Sequence, residues 1–154
     1  MGIKSFEGKR AAIITEVDQI RVRDCMNTAM ILFYEEMSLL EAMEIMIQKK
    51  VSGGPVLNEE KKLVGIISEG DCVKQISDSR YYNMPMADVK IKHKMSTAIE
   101  SIHPDENIFD IANKFLTLKR RRFPVVENNQ LLGLVSQKDM LRIATRMSGN
   151  HWKK

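Results

Sequence analysis

Two short stretches of the chain pair a serine with an aspartate three residues on: Ser68-Glu69-Gly70-Asp71 and Ser136-Gln137-Lys138-Asp139. Each follows an apolar run that reads as a strand, Leu63-Val64-Gly65-Ile66-Ile67 or Leu131-Leu132-Gly133-Leu134-Val135, and each precedes apolar residues at helical spacing. The first turn of a helix presents unpaired backbone N–H groups and the positive end of the helix dipole, which suit a phosphate. A serine hydroxyl there adds one donor, and an aspartate one turn on offers acceptor oxygens to the adjacent hydroxyls of a ribose. Together they would read a nucleotide. The same four residues also spell a capping box, which does no more than start a helix. A motif this short leaves both readings open.

The elements around these turns are duplicated too. Met26-Asn27-Thr28-Ala29 returns 69 residues later as Met95-Ser96-Thr97-Ala98, Lys50 as Lys119, and Pro55-Val56 as Pro124-Val125. The offset then falls to 68 for Leu63, Gly65, Ser68 and Asp71, which places one extra residue in a loop of the first copy. Each copy reads strand, helix, strand, strand, helix. The strands Pro55–Leu57 and Lys62–Ile67 are joined by a hairpin-like turn over Asn58–Lys61, and the second copy turns through Asn128-Asn129. Ser38-Leu39-Leu40-Glu41 is a capping box. In the helix after it Glu41, Glu44 and Gln48 form a narrow polar stripe between Leu39, Leu40, Met43, Met46 and Ile47. Apolar cover this wide predicts a helix buried on most sides, partly against another subunit. Ser77 to Lys90, rich in Asp, Ser, Asn and Pro, reads as a connecting loop.

Composition narrows the function classes. The chain has 154 residues, 44% hydrophobic and 29% charged, the range of one globular domain able to fold without disulfide or metal. The charge of +4 comes from 24 basic and 20 acidic residues that are mostly interspersed, weak support for an anionic ligand and little for a dedicated nucleic-acid binder. Cys25 and Cys72 match no metal or redox spacing, and no apolar run approaches the ~20 residues of a membrane span. The start of the sequence lacks the apolar core of a signal peptide, so a reduced, cytoplasmic setting is expected. His93, His103 and His151 share no metal spacing, and Gly65-Ile66-Ile67-Ser68-Glu69-Gly70 misses a nucleophile elbow by one residue. No nucleophile with its base is legible, and no catalysis is expected.

A duplicated unit with Met-x-Thr at its head, Val51-Ser52-Gly53-Gly54-Pro55-Val56 in its middle and Gly-x-x-Ser-x-x-Asp at its end resembles the CBS-domain family, whose tandem pairs are called Bateman modules. The resemblance divides the chain into a leading segment 1–21, repeat one over 22–79, a linker 80–88, repeat two over 89–147 and a tail 148–154. It implies an α/β (α+β) fold of two β-α-β-β-α repeats related by a pseudo-twofold axis and packed through their sheets. It also implies two clefts for adenosine-containing ligands such as AMP, ADP, ATP, S-adenosylmethionine or NAD, and a homodimer. Carried over position by position, one cleft combines Thr28, Val51, Ser52 and Gly53 with Ser136 and Asp139. The other combines Thr97, Arg120, Arg121 and Arg122 with Ser68 and Asp71. Small residues favour the first cleft for an adenine, while three arginines add phosphate-binding charge to the second and crowd the base.

The expected function is a stand-alone regulatory sensor, with an adenine nucleotide as regulatory ligand, no required cofactor, and an unidentified protein partner. The alternative is a structural dimerisation module in which both Ser-x-x-Asp turns are only helix caps. A third reading takes Lys119-Arg120-Arg121-Arg122 as a nucleic-acid contact rather than a solvated basic loop.

Overall fold

The computed structural model describes the backbone of residues 20–82 and 88–152 and the side chains of residues 20–80 and 88–147. The expected leading segment as far as residue 19, residues 83–87 of the linker and the last two residues of the tail lie outside that description.

The chain opens with a one-turn helix α1 (Val22–Cys25) and runs through β1 (Phe33–Tyr34), α2 (Leu39–Lys49), β2 (Gly53–Leu57), β3 (Leu63–Ser68) and α3 (Glu69–Tyr82). A 3-10 turn at Ile91–His93 precedes α4 (Ile108–Leu118), β4 (Arg122–Glu127), β5 (Gln130–Ser136) and α5 (Gln137–Trp152). In the first copy β1 pairs parallel with β2, and β2 antiparallel with β3. In the second copy the counterpart of β1 shrinks to a single parallel bridge, Ile102 to Val125, beside the β4–β5 hairpin. Asn128 and Asn129 both take left-handed backbone angles, as a tight two-residue hairpin turn requires.

Local chemistry sets the helix ends alike in both copies. The Ser38 side chain accepts from the Glu41 N–H, and Asn107 accepts from the Asp110 N–H, so each helix starts on a side-chain cap. Lys50 and Lys119 end the same helices in the left-handed conformation. Helix α2 buries Leu39, Ala42 and Met46, and α4 buries Ile108, Ile111 and Phe115, one stripe at i, i+3, i+7 in each. The expected burial on most sides does not hold within one chain: Ile47 is 77% exposed and its counterpart Leu116 is 76% exposed.

Two compact units form, and neither is a repeat as read along the chain. Among the described residues, one joins 20–28 with Ser101–Glu127 and 132–152; the other joins 29–82 and 88–100 with Asn128–Leu131. The head of each repeat thus packs with the body of the other. In the first unit the Val22 N–H donates to the Glu106 carbonyl and the Arg23 N–H to that of Pro104. In the second the Ile91 and Lys92 N–H groups donate in the same way to Met37 and Glu35. Val22 and Ile91 are wholly buried. An ion pair accompanies each docking: Arg23 with Asp105 at 2.7 Å, and Lys92 with Glu36 at 2.7 Å.

Further along each head, Asn27 exchanges two backbone hydrogen bonds with Leu134, of 2.8 and 3.0 Å, and Ser96 exchanges two of 2.9 Å with Ile66. This crossing explains the glycines of the two apolar runs. A Cβ on Gly65 would strike Met95 and lie 2.9 Å from the Ser96 carbonyl oxygen, and one on Gly133 would lie 2.9 Å from that of Asn27. Each unit has its own core. Phe33, Leu39, Met46, Val56, Ile67 and Ile91 fill one. Val22, Ile102, Ile111, Phe115, Phe123 and Val135 fill the other, with the rings of Phe115 and Phe123 4.7 Å apart.

Two stretches expected to be irregular are helical. Helix α3 runs on to Tyr82, into the segment read as a loop from Ser77, and α5 runs to Trp152, into the expected tail. A polar stretch that ends a helix reads in sequence like a loop, and the turn-residue reading could not separate the two. Among the described residues no helix is long and apolar enough to cross a membrane.

The Glu36 carboxyl, hydrogen-bonded by Lys90 and Lys92, is held down to about 2 from its ordinary 4.5. A depressed carboxyl stabilises the fold above its ordinary value and loses that contribution as pH falls through the folded one. The difference in melting temperature between wild type and Glu36→Gln is therefore constant from pH 7 to about 5 and vanishes as pH approaches about 2. The pair lies at the surface, which keeps the effect small and salt-sensitive. Thermal unfolding of both proteins across this range checks it, and a pH-independent difference would refute it.

Candidate functional site

Both Ser-x-x-Asp turns form the reciprocal capping box. In one unit the Ser136 N–H and Oγ donate to Asp139 Oδ2 at 2.8 and 3.0 Å, and the Asp139 N–H donates back to Ser136 Oγ at 3.3 Å. In the other, the Ser68 N–H and Oγ donate to Asp71 Oδ2 at 2.9 and 3.0 Å, and the Asp71 N–H returns a long 3.4 Å bond. The cap is thus real in both units. It occupies only one oxygen of each carboxylate. Among the described residues Asp71 Oδ1 takes no donor, while Asp139 Oδ1 accepts from Arg142 Nη1 at 3.1 Å.

Asp139 is 6% exposed and stands on the wall of a cavity of about 270 Å³. The wall is made by Asp24, Cys25, Met26 and Asn27 from the head and by Asp139, Arg142, Ile143 and Arg146 from α5, all within one unit. Asp139, Arg142 and Arg146 follow at i, i+3, i+7, which puts them on one helix face. Asp24 Oδ2 is turned to the Arg21 N–H at 2.9 Å. The Cys25 thiol is pushed up to about 11, first by burial and then by the carboxylates of Asp139 and Asp24.

The other expected residues fall as follows. Thr28 is exposed, directly after the Asn27–Leu134 pairing, in the unit of Ser136 and Asp139. Thr97 is exposed, directly after the Ser96–Ile66 pairing, in the unit of Ser68 and Asp71. Val51, Ser52 and Gly53 belong to that second unit as well. Gly53 is the strand partner of Ser68, and the Ser52 carbonyl accepts from the Glu69 N–H at 2.9 Å, satisfying one of the first donors of α3. Arg120 and Arg122 are half-buried and Arg121 exposed, with Arg122 opening β4 in the unit of Asp139.

Sequence reasoning missed Arg142, Arg146, Asp24 and Cys25. The first two were detectable, because basic residues three and seven positions after Asp139 share its helix face. The last two were not, because the exchange of heads alone brings Asp24 and Cys25 to α5. Among the described residues no cluster of His, Cys, Asp and Glu could hold a metal ion.

The sequence pattern of the CBS domain matches residues 22–78 and 87–146, and the chain belongs to the CBS-domain family. An uncharacterized protein of Methanocaldococcus jannaschii is 27% identical over 131 residues, covering 85% of this chain and 44% of its own length. The chain therefore spans less than half of that relative. The fold matches the crystal structure of CBSX2 in complex with AMP, with a TM-score of 0.74 and 24% identity over 83% of this chain and 98% of that one. It also matches the CBS domain pair of protein MJ0100 in complex with 5-methylthioadenosine and S-adenosyl-L-methionine, with a TM-score of 0.70 and 25% identity over 82% of this chain and 97% of that one.

A thiol held near 11 is almost wholly protonated at neutral pH and a poor nucleophile. Cys25 is expected to alkylate slowly at pH 7.5, faster as pH rises toward 11, and faster at a given pH in Asp139→Asn, which removes one of the carboxylates opposing the thiolate. Mass-resolved iodoacetamide labelling checks it, and rapid pH-independent modification of Cys25 would contradict it.

Proposed function

We propose that this chain is a regulatory, non-catalytic module that binds an adenosine-containing ligand at Asp139, with Asp71 as a second site of the same kind. The observation that carries the reading is the divided carboxylate. One oxygen of each aspartate is committed to the helix cap, and the other lies outside it, without a donor at Asp71 among the described residues and on the exposed Arg142 side chain at Asp139, where a hydroxyl pair can take it. Complexes of two structural relatives, one with AMP and one with 5-methylthioadenosine and S-adenosyl-L-methionine, support adenosine as the common part. Ser136 and Thr28 accompany Asp139, and Ser68 and Thr97 accompany Asp71. Binding alters a homodimer, and through it an unidentified protein partner. The exposed counterparts Ile47 and Leu116 on α2 and α4 supply apolar surface for such an association.

The rival reading, a structural module whose aspartates only cap helices, draws support from the same capping boxes. Asp139→Ala separates the two. Both readings predict a loss of ~1 kcal/mol of stability with the cap. The sensor reading predicts in addition that an adenosine compound at 100 times its dissociation constant stabilises the wild type by about 2.7 kcal/mol, a rise of roughly 5–10 °C in melting temperature. That rise is absent in Asp139→Ala. A thermal-shift series with AMP, ADP, ATP, S-adenosylmethionine and NAD on both proteins decides it. No shift with any compound, or the same shift in both proteins, would leave the structural module.

A further inference from the structure

The oxygen of Asp139 that the cap leaves over is not idle. Arg142 Nη1 holds it at 3.1 Å, from a side chain 61% exposed against 8% for the aspartate. A ribose hydroxyl pair that takes Oδ1 must therefore displace a guanidinium. The displaced cation stays in the same cavity, one turn of α5 from Arg146, which also lines it. A guanidinium without its carboxylate, beside a second cation on the same helix face, meets like-charge repulsion, and an anion between them removes that cost. Asp24, the other acid on the wall, already accepts from the Arg21 N–H through one oxygen, and it lies on the head rather than on the α5 face of the arginines.

We infer that the Asp139 site selects a phosphorylated nucleoside, with Arg142 passing from Asp139 Oδ1 to the ligand phosphate and Arg146 completing the phosphate contact. The inference rests on the reading of Asp139 as a ribose acceptor and adds the ligand class. A nucleoside without phosphate breaks the Arg142 pair and returns nothing for it. A nucleoside carrying a cationic sulfonium adds a like charge to two arginines. The cavity volume of about 270 Å³ is below the ~300–1,000 Å³ of whole-ligand pockets and suits the ribose-phosphate part. The second unit lacks the device. At the positions matching Arg142 and Arg146 stand Lys74 and Asp78, and Asp71 Oδ1 has no cation on it among the described residues.

The test is isothermal titration of the full chain with adenosine, AMP, ADP and S-adenosylmethionine, on wild type, Arg146→Gln and Arg142→Gln, each variant first checked for an unchanged melting temperature. The inference predicts that AMP binds at least tenfold tighter than adenosine. Arg146→Gln removes most of that margin and leaves adenosine affinity within twofold. Arg142→Gln weakens AMP and strengthens adenosine, because the competitor for Oδ1 is gone. A structural role for Arg142 would weaken both ligands together. Equal affinity for adenosine and AMP in the wild type overturns the phosphate inference and leaves the adenosine reading standing. Absence of binding by all four compounds overturns both.

Discussion

The arrangement depends on a serine and an aspartate sharing one oxygen. In each unit the backbone N–H and hydroxyl of a strand-ending serine converge on Oδ2 of the aspartate three residues later. That convergence joins the strand end to the first turn of the helix and fixes the plane of the carboxylate. A buried carboxylate free to rotate would lose entropy on meeting a ligand, whereas one already clamped through one oxygen presents the other in a set direction. Under the proposed function, capping and binding would be successive uses of the two oxygens of one group. The clamp serves the fold by itself, and its second oxygen is the one the proposal assigns to a ligand.

The second constraint is the exchange of heads. The same two backbone hydrogen bonds, a wholly buried Val22 or Ile91, and an ion pair seat each head on the body of the other repeat. The exposed ion pairs contribute little stability, and burial of the apolar side chain carries most of the docking. The exchange has a consequence for the site. It carries Asp24, Cys25 and Met26 to the wall of the Asp139 cavity, and it delivers Thr28 and Thr97 to the units holding the second and first Ser-x-x-Asp turns respectively. Gly65 and Gly133 are where strand and head backbones come closest, so the two glycines belong to the exchange more than to their strands.

Much of this was legible in the sequence. The duplication at offsets of 69 and 68, the capping box at Ser38, the Asn128-Asn129 turn and the two Ser-x-x-Asp turns are local patterns, and local patterns survive folding when nothing distant opposes them. What escaped depends on distant chain. No periodicity in residues 22–28 says that they dock on the second repeat, because a short segment with one apolar anchor fits either body equally well. The ends of α3 and α5 escaped because polar composition does not by itself distinguish the end of a helix from a loop. The apolar width of α2 and α4 was visible, yet the chain covers only one stripe of each and leaves Ile47 and Leu116 outside. Arg142 and Arg146 stood in plain helical register with Asp139, and the spacing alone would have found them.

The most direct measurement is a crystal structure of the chain grown with AMP. The account predicts the ribose hydroxyls within hydrogen-bond distance of Asp139 Oδ1, with Oδ2 still holding the Ser136 N–H and the Arg142 guanidinium moved off the carboxylate. AMP seated away from both aspartates, or an Asp139 carboxylate swung off Ser136 to reach it, would contradict the division of labour between the two oxygens.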